Sequence, residues 1–387
     1  MHSNQPHVES ILVEYDATNA LAHQFLRKSA ELIDELLEAA GLRVHSIEKR
    51  VKDRAKLEEK IARPGKDYKC LDEVKDVVGL RVITYFEDDV DTVSGLIKRE
   101  FDLLEEHTED KRKSHLPNQF GYLSLHHVCR LSKRRLRETE NKKFKSSCFE
   151  IQIRSLLQHA WAEIEHDLGY KSGAESPAVV RRRFSQLAGL LEIADREFRE
   201  IRTTLVEYEK KASARLSEQP KKSSKAPPLD DLDVDTITVS LLIKQDADIR
   251  SINEVISKAS GRPVAAETTQ AAWMAQLLTS VGIFFVPFLL MTIRENQEAI
   301  LEYAKLRDIQ LQEVQDVDPV LGLMLVCEIL AYWRAGEKGI LQLYKEHGIG
   351  DEAKQKIAAK AHATIASKIT WPFRLVWDSR DTWSLPE

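Results

Sequence analysis

Phe149-Glu150-Ile151-Gln152-Ile153-Arg154 alternates apolar and polar side chains without a break. On a β-strand, successive side chains point to opposite faces. Phe149, Ile151 and Ile153 therefore share one face, and Glu150, Gln152 and Arg154 share the other. By itself the pattern predicts an amphipathic strand with a solvated polar face. An acid, an amide and a cation in one row can also hold a polar ligand. The neighbouring sequence favours that second use. A helix is expected directly after the strand, from Leu156 to Leu168, carrying His159, Glu163 and His166 and ending at Gly169-Tyr170-Lys171. Upstream stand Arg50-Val51-Lys52, then Asp76-Val77-Val78-Gly79-Leu80-Arg81, then Gly121-Tyr122-Leu123-Ser124-Leu125-His126.

Outward from these stretches, the chain reads as mixed helix and strand. A helix is expected from Asn19, as N-cap, to Gly41, as the residue just past its end. Arg54 to Ala62 predicts a short charged helix closed by Arg63-Pro64-Gly65. Leu80 to Phe86 is rich in β-branched and aromatic residues and predicts a strand. Val90 to Phe101 predicts a helix. Two further strands bracket a basic stretch, Arg130 to Lys145, and a long helix is expected from about Pro177 to Ala212, with Leu187, Leu190, Leu191 and Ala194 on one face.

The ordered set of motifs resembles the synthetase domain of the RelA/SpoT alarmone synthetases, over residues 20 to 210 or so. The resemblance implies an α+β fold: a nucleotidyltransferase-like mixed β-sheet flanked by helices. It implies transfer of a pyrophosphoryl group from ATP to the 3′-hydroxyl of GDP or GTP, with Mg2+ as cofactor. Such transfer needs charge neutralisation and alignment more than covalent help from protein. The resemblance assigns Asp76 to the metal, and Glu150 to the metal, to activation of the 3′-hydroxyl, or to both. It places Arg50 and Arg81 against the ATP adenine, where a planar guanidinium stacks better than an ammonium. Lys52 and Lys60, with Arg50, would neutralise the triphosphate. Tyr122 would stack on the acceptor base, with Ser124, His126, Gln152 and Arg154 around the acceptor. His159, Glu163 and His166 are expected to be structural, hydrogen-bonded inside the fold.

Three positions depart from the family's pattern. Phe120 stands where an Asn often precedes the Gly-Tyr pair, Leu123 where a Gln or Arg often follows it, and Lys56 where a serine is common. The first two remove polar groups from the expected base site, and base selectivity rests on such groups. The acceptor therefore stays open. Some members of the family pyrophosphorylate the 3′ end of tRNA and others prefer adenine nucleotides. The basic run through Arg130, Arg134, Arg135, Arg137 and Lys145, with Arg181-Arg182-Arg183, could meet phosphates or be a solvated hairpin. A degenerate domain that only binds nucleotide is a third reading, against which Asp76, Glu150, Arg50 and Arg81 all stand. The hydrolase half of long members uses a His-Asp pair, and the one His-Asp step here is His166-Asp167.

At 387 residues the chain has room for two domains. Its net charge of −5 gives no global basic field, so any nucleic-acid site must be local. Cys70, Cys129, Cys148 and Cys327 form no C-x-x-C pair, which argues against a zinc site or a disulfide framework and suits a reducing cytoplasm. Residues Met1 to Glu14 lack a signal-peptide core. The expected division is a synthetase domain over 1–216, a Lys/Ser/Pro linker over 217–228, and a mostly helical regulatory or oligomerisation domain over 229–387. Helices are expected there over Ile249 to Ala259, Trp273 to Gln297, Pro319 to Arg334 and Glu352 to Ile369. Within the second, Leu277 to Ile293 is apolar but short for a membrane span and broken by Pro287, so a buried helix is expected rather than a lipid-facing one. A homo-oligomer is the expected assembly.

Overall fold

The structure, a computed structural model, describes residues 5–110, 124–170, 177–217, 232–306, 316–350, 352–365, 368–369, 376–378 and 382–384. Contacts divide the chain into two compact units, Met1–Thr203 and Thr204–Glu387. Of the expected linker 217–228, only Ser217 lies within the described residues.

The first unit is built on α1 (Gln5–Ala39), β1 (Val44–Val51), α2 (Arg54–Ile61), β2 (Val78–Thr84), α3 (Glu87–Glu100), β3 (Phe101–Leu103), β4 (Glu109–Asp110), β5 (Leu125–Leu131), β6 (Phe149–Ser155), α4 (Leu156–Tyr170) and the first part of α5 (Ala178–Ser217), whose residues past Thr203 belong to the second unit. The sheet order is β1-β2-β6-β5-β3, with β4 also on β5. Among the described strands of this sheet only the β2–β6 pair is parallel, so the sheet is mixed, as the fold class required. Phe149, Ile151 and Ile153 are fully buried and join Leu80 and Val82 of β2, Val90, Val93 and Ile97 of α3, and Phe25 and Ile33 of α1 in one core. Both helices thus cover the apolar face of the sheet, leaving the opposite face for polar chemistry.

Helix α1 begins well before Asn19. Ile11, Leu12 and Tyr15 extend its apolar stripe and are buried against Leu57 and Ile61 of α2, which outweighs the capping tendency of one asparagine. Its other end is as expected. Gly41 has φ 63°, and the amides of Gly41 and Leu42 donate back to the carbonyls of Glu38 and Leu37. On α5, Leu187 and Leu190 are exposed, while Leu191 and Ala194 are only partly buried. The residues from 132 to 148 are not a plain hairpin. Two 3₁₀ turns, Arg135–Arg137 and Thr139–Phe144, fold there, and Arg134 and Arg135 both pair with Glu100.

The second unit is helical, as expected, but more finely divided. It contains α6 (Thr236–Gln245), α7 (Ala247–Ser260), α8 (Ala271–Ser280), α9 (Val286–Glu295), α10 (Gln297–Leu306), α11 (Leu321–Ala335), α12 (Glu337–His347) and α13 (Glu352–Ile365), with a short hairpin of β7 (Val376–Asp378) and β8 (Thr382–Ser384). The apolar run Leu277 to Ile293 is two helices, α8 and α9. They are separated by a turn at Gly282, and Pro287 sits in the first turn of α9, where a missing N–H costs nothing. Leu277, Leu278, Ile283, Val286, Leu289 and Ile293 are all buried in this unit's core. Among the described residues no helix is long and apolar enough to cross a membrane.

Candidate active site

The polar face of the sheet aligns residues that lie far apart in sequence. One row runs Arg50, Gly79, Glu150 across β1, β2 and β6. The next runs Glu48, Arg81, Gln152, His126 across β1, β2, β6 and β5. A Cβ on Gly79 would lie 3.6 Å from the Arg50 side chain, so the glycine keeps the middle of its row open. A cleft of about 180 Å³ forms over these rows, lined by Glu48, Arg50, Asp76, Arg81, Glu150 and Gln152 among others.

Asp76 stands just before β2. Lys60 of α2 reaches its Oδ1 at 2.7 Å, and Lys52, past the end of β1, reaches Oδ2 at 3.1 Å. The Lys52 backbone is itself anchored: its amide donates to the Val77 carbonyl, and Tyr15 Oη donates to its carbonyl at 2.6 Å. Burial works to raise the Asp76 pKa, but the Lys60 hydrogen bond and the charges of Lys52 and Lys60 outweigh it, and the carboxyl is held below its ordinary value. Burial opposes ionisation of Glu150 too. There His126 wins, with Nδ1 at 3.2 Å from Oε1, helped by Gln152 Nε2 donating to Oε2 at 3.2 Å, and the pKa is again lowered. The Asp76 charge pulls the Glu150 pKa the other way. His126 Nε2 meets Ser124 Oγ at 2.7 Å, which orients the imidazole from behind.

A second cluster borders the cleft. Arg81 Nη1 donates to Glu48 Oε2 at 2.6 Å and to Glu163 Oε1 at 3.1 Å. Arg154 Nη2 donates to the same Glu163 oxygen at 3.2 Å. His159 lies between the two acids, 3.8 Å from Glu48 and 3.7 Å from Glu163; burial, then the charges of Arg154 and Arg81, lower its pKa.

The structure therefore gathers Arg50, Asp76, Arg81, Glu150 and Gln152 at one cleft, with Lys52 and Lys60 joined through Asp76, and Ser124 and His126 through Glu150. Arg154 departs from the solvated polar row expected of β6: its side chain is only 2 % exposed and it meets Glu163. Tyr122 lies outside the described residues. Glu163 is not inside the fold as expected but exposed, reaching back to two arginines, and His166 is exposed as well. Glu48 was the cleft residue that sequence reasoning missed, and Glu163 was named only as a residue hydrogen-bonded inside the fold. The available signals were Glu48 at period two from Arg50, and Glu163 one helical turn beyond His159.

GTP pyrophosphokinase YjbM of Bacillus subtilis (strain 168) is 30 % identical over 155 residues, which is 40 % of this chain and 69 % of that protein. The chain belongs to the RelA/SpoT family. A family model described as "Region found in RelA / SpoT proteins" matches residues 49–175, which include the cleft residues from Arg50 to Gln152. GTP pyrophosphokinase YwaC of the same organism is 28 % identical over 122 residues, 32 % of this chain and 55 % of that protein. Among solved structures, the small alarmone synthetase 1 from Bacillus subtilis superposes with a TM-score of 0.43 at 25 % identity, covering 50 % of this chain and 98 % of that one.

Proposed function

We propose that this chain is an ATP-dependent pyrophosphotransferase that makes (p)ppGpp by moving pyrophosphate from ATP to the 3′-hydroxyl of GDP or GTP. The observation that carries the reading is the meeting of two ionised carboxylates, Asp76 and Glu150, with Arg50 and Arg81 in a single cleft. The two matched relatives, both named GTP pyrophosphokinase, support it.

In this reading the 3′-hydroxyl oxygen of the acceptor attacks the β-phosphorus of ATP. The bond from that phosphorus to the α-phosphate breaks, and AMP leaves. Glu150 accepts the hydroxyl proton, and His126 and Gln152 hold its carboxylate for that task. Lys52 and Lys60 exchange part of their contact with Asp76 for phosphate oxygens, and Arg50 and Arg81 receive the adenine. Gln152 and His126 lie on the acceptor side, with Ser124 fixing His126. Magnesium suits this donor set, being a hard ion that takes few protein carboxylates and keeps waters and substrate phosphates as its other ligands. When bound, it neutralises charge on the transferring phosphates. Asp76 and Glu150 would be the residues of this chain that hold it.

The test is to incubate the purified protein with magnesium and ATP labelled in its terminal phosphates, with GDP, GTP, AMP or tRNA in separate tubes. Label moving to GDP or GTP supports the reading. Label on tRNA or AMP alone rejects the acceptor and keeps the chemistry. No transfer to any acceptor rejects the enzyme. The same reading takes residues 229–387 as a regulatory or oligomerisation domain in a homo-oligomer, which sedimentation of the whole chain tests.

A further inference from the structure

Three consecutive residues of α1 each hold a different segment that leads to the Asp76 cluster. Glu14 Oε2 accepts from the Leu71 amide at 3.0 Å, in the turn that runs on toward Asp76. Tyr15 Oη donates to the Lys52 carbonyl at 2.6 Å. Asp16 Oδ2 accepts from Arg54 Nε at 3.1 Å, at the start of the helix that carries Lys60. Their surroundings rank them. The Asp16–Arg54 pair is about half exposed on both sides, and such pairs hold little. The Glu14 contact is exposed as well. Tyr15 is 5 % exposed and packs with Ile11, Leu12, Leu57, Ile61 and Val74, so the ring that makes its bond is fixed. Burial, opposed by Asn19, raises its pKa, and the hydroxyl keeps the proton that it donates. The Lys52 amide donates to the Val77 carbonyl at 2.8 Å, so Lys52 is held at both of its peptide groups. From that anchored backbone its side chain, 11 % exposed, reaches Asp76 Oδ2.

We infer that Tyr15 is a positioning residue for the nucleotide donor: by fixing the Lys52 backbone it holds the Lys52 ammonium at Asp76, where that ammonium meets the ATP phosphates. The inference rests on the reading of the cleft as a pyrophosphotransferase site. Tyr15 does not line the cleft and touches no substrate. It acts through one lysine, so its loss appears in ATP binding and disappears when that lysine is absent.

The test measures ATP and GDP binding to the whole protein by calorimetry, with magnesium, in wild type, Tyr15→Phe, Lys52→Ala and the double variant. Phenylalanine keeps the ring in its core and removes only the hydroxyl. Loss of one hydrogen bond predicts ATP binding weakened about three- to tenfold in Tyr15→Phe, with GDP binding changed less than about twofold. Lys52→Ala keeps the carbonyl that Tyr15 holds and removes the ammonium that it positions. In that background Tyr15→Phe should weaken ATP binding no further, because the two changes act through one contact. An equal further loss there overturns the inference, since Tyr15 would then act by general support of the fold. Unchanged ATP affinity in Tyr15→Phe, or in Lys52→Ala, overturns it as well. Asp16→Ala cuts the neighbouring exposed contact and should leave ATP binding within about twofold of wild type. A loss as large as that of Tyr15→Phe would show a general loosening of α1 and overturn the inference too. Stability contributed by the hydroxyl is lost in both arms of the cycle and cancels, and thermal melting shows that each variant is folded at the temperature of the titration. A wild type that binds no ATP removes the site reading and this inference together. A wild type that binds ATP, with an indifferent Tyr15→Phe, removes the inference alone.

Discussion

Asp76 and Glu150 are ionised for different reasons, two lysines for the first and a histidine with an amide for the second. Both folded pKa values lie below the ordinary ones, so each carboxylate contributes stability that is fully present above its unfolded pKa. That contribution is lost only as pH falls through the lower folded value. At neutral pH both are charged and available. Asp76→Asn and Glu150→Gln should each cut the initial rate of transfer by about 100-fold or more at saturating magnesium. Normal turnover by either variant would remove its proposed role. Arg81→Lys keeps the charge and loses the plane. Weaker ATP binding is expected in a calorimetric titration, and unchanged affinity would rule out stacking as the contact.

At the scale of elements, the turn from β6 into α4 fixes where α5 lies. Ser155 caps α4, its Oγ accepting from the Gln158 amide; its own amide donates to Gln158 Oε1, and its hydroxyl donates to Asp195 of α5 at 2.6 Å. Asp195 is 3 % exposed, and burial pushes its pKa up to about 6, with Glu87 adding to the effect and the Ser155 bond opposing it. A carboxyl whose folded pKa is raised binds its proton more tightly in the native state. Stability is therefore highest below the unfolded value near 3.8 and falls as pH rises toward 6. Asp195→Asn keeps an acceptor for Ser155 and carries no charge. Its stability relative to wild type should rise between pH 4 and pH 7 by up to about 3 kcal/mol, read by urea unfolding at each pH. A difference that stays flat with pH would show that Asp195 is not held protonated.

On the scale of the whole molecule, each unit has a core of its own, the sheet with α1 and α3 in one, and the packed helices α6 to α11 in the other. Units with separate cores are expected to melt as separable transitions. One position in the second unit makes this measurable. A Cβ on Gly339 would stand 1.9 Å from the Ala331 carbonyl oxygen, so α12 approaches the backbone of α11 as only glycine permits. The contact is with backbone, so no rotamer change relieves it. Gly339→Ala should destabilise the second unit by about 1–3 kcal/mol. Scanning calorimetry should show one transition lowered and the other in place, whereas a single transition moving as a whole would contradict two independent cores. Buried polar contacts also tie this unit together: Tyr303 and Tyr344 both donate to Glu328, from α10 and α12 onto α11.

Local pattern carried much of this. The period-two alternation from Phe149 to Arg154 named a strand and its buried face, because a strand has only two faces and three consecutive odd positions are apolar. The motifs around Arg50, Asp76 and Arg81 named the family and most of the cleft. Periodicity names a face but not a partner. That Arg81 would lie between Glu48 and Glu163, and that Arg154 would be buried, depended on the register of β1, β2 and β6 and on where α4 lands after them. Those are pairings between residues up to 82 positions apart in the chain. Tertiary packing also moved the start of α1, where buried contacts with α2 overrode a capping residue, and split Leu277 to Ile293 in two. An apolar run records that its residues must be buried. Whether they are buried as one helix or two is decided by the neighbours that bury them.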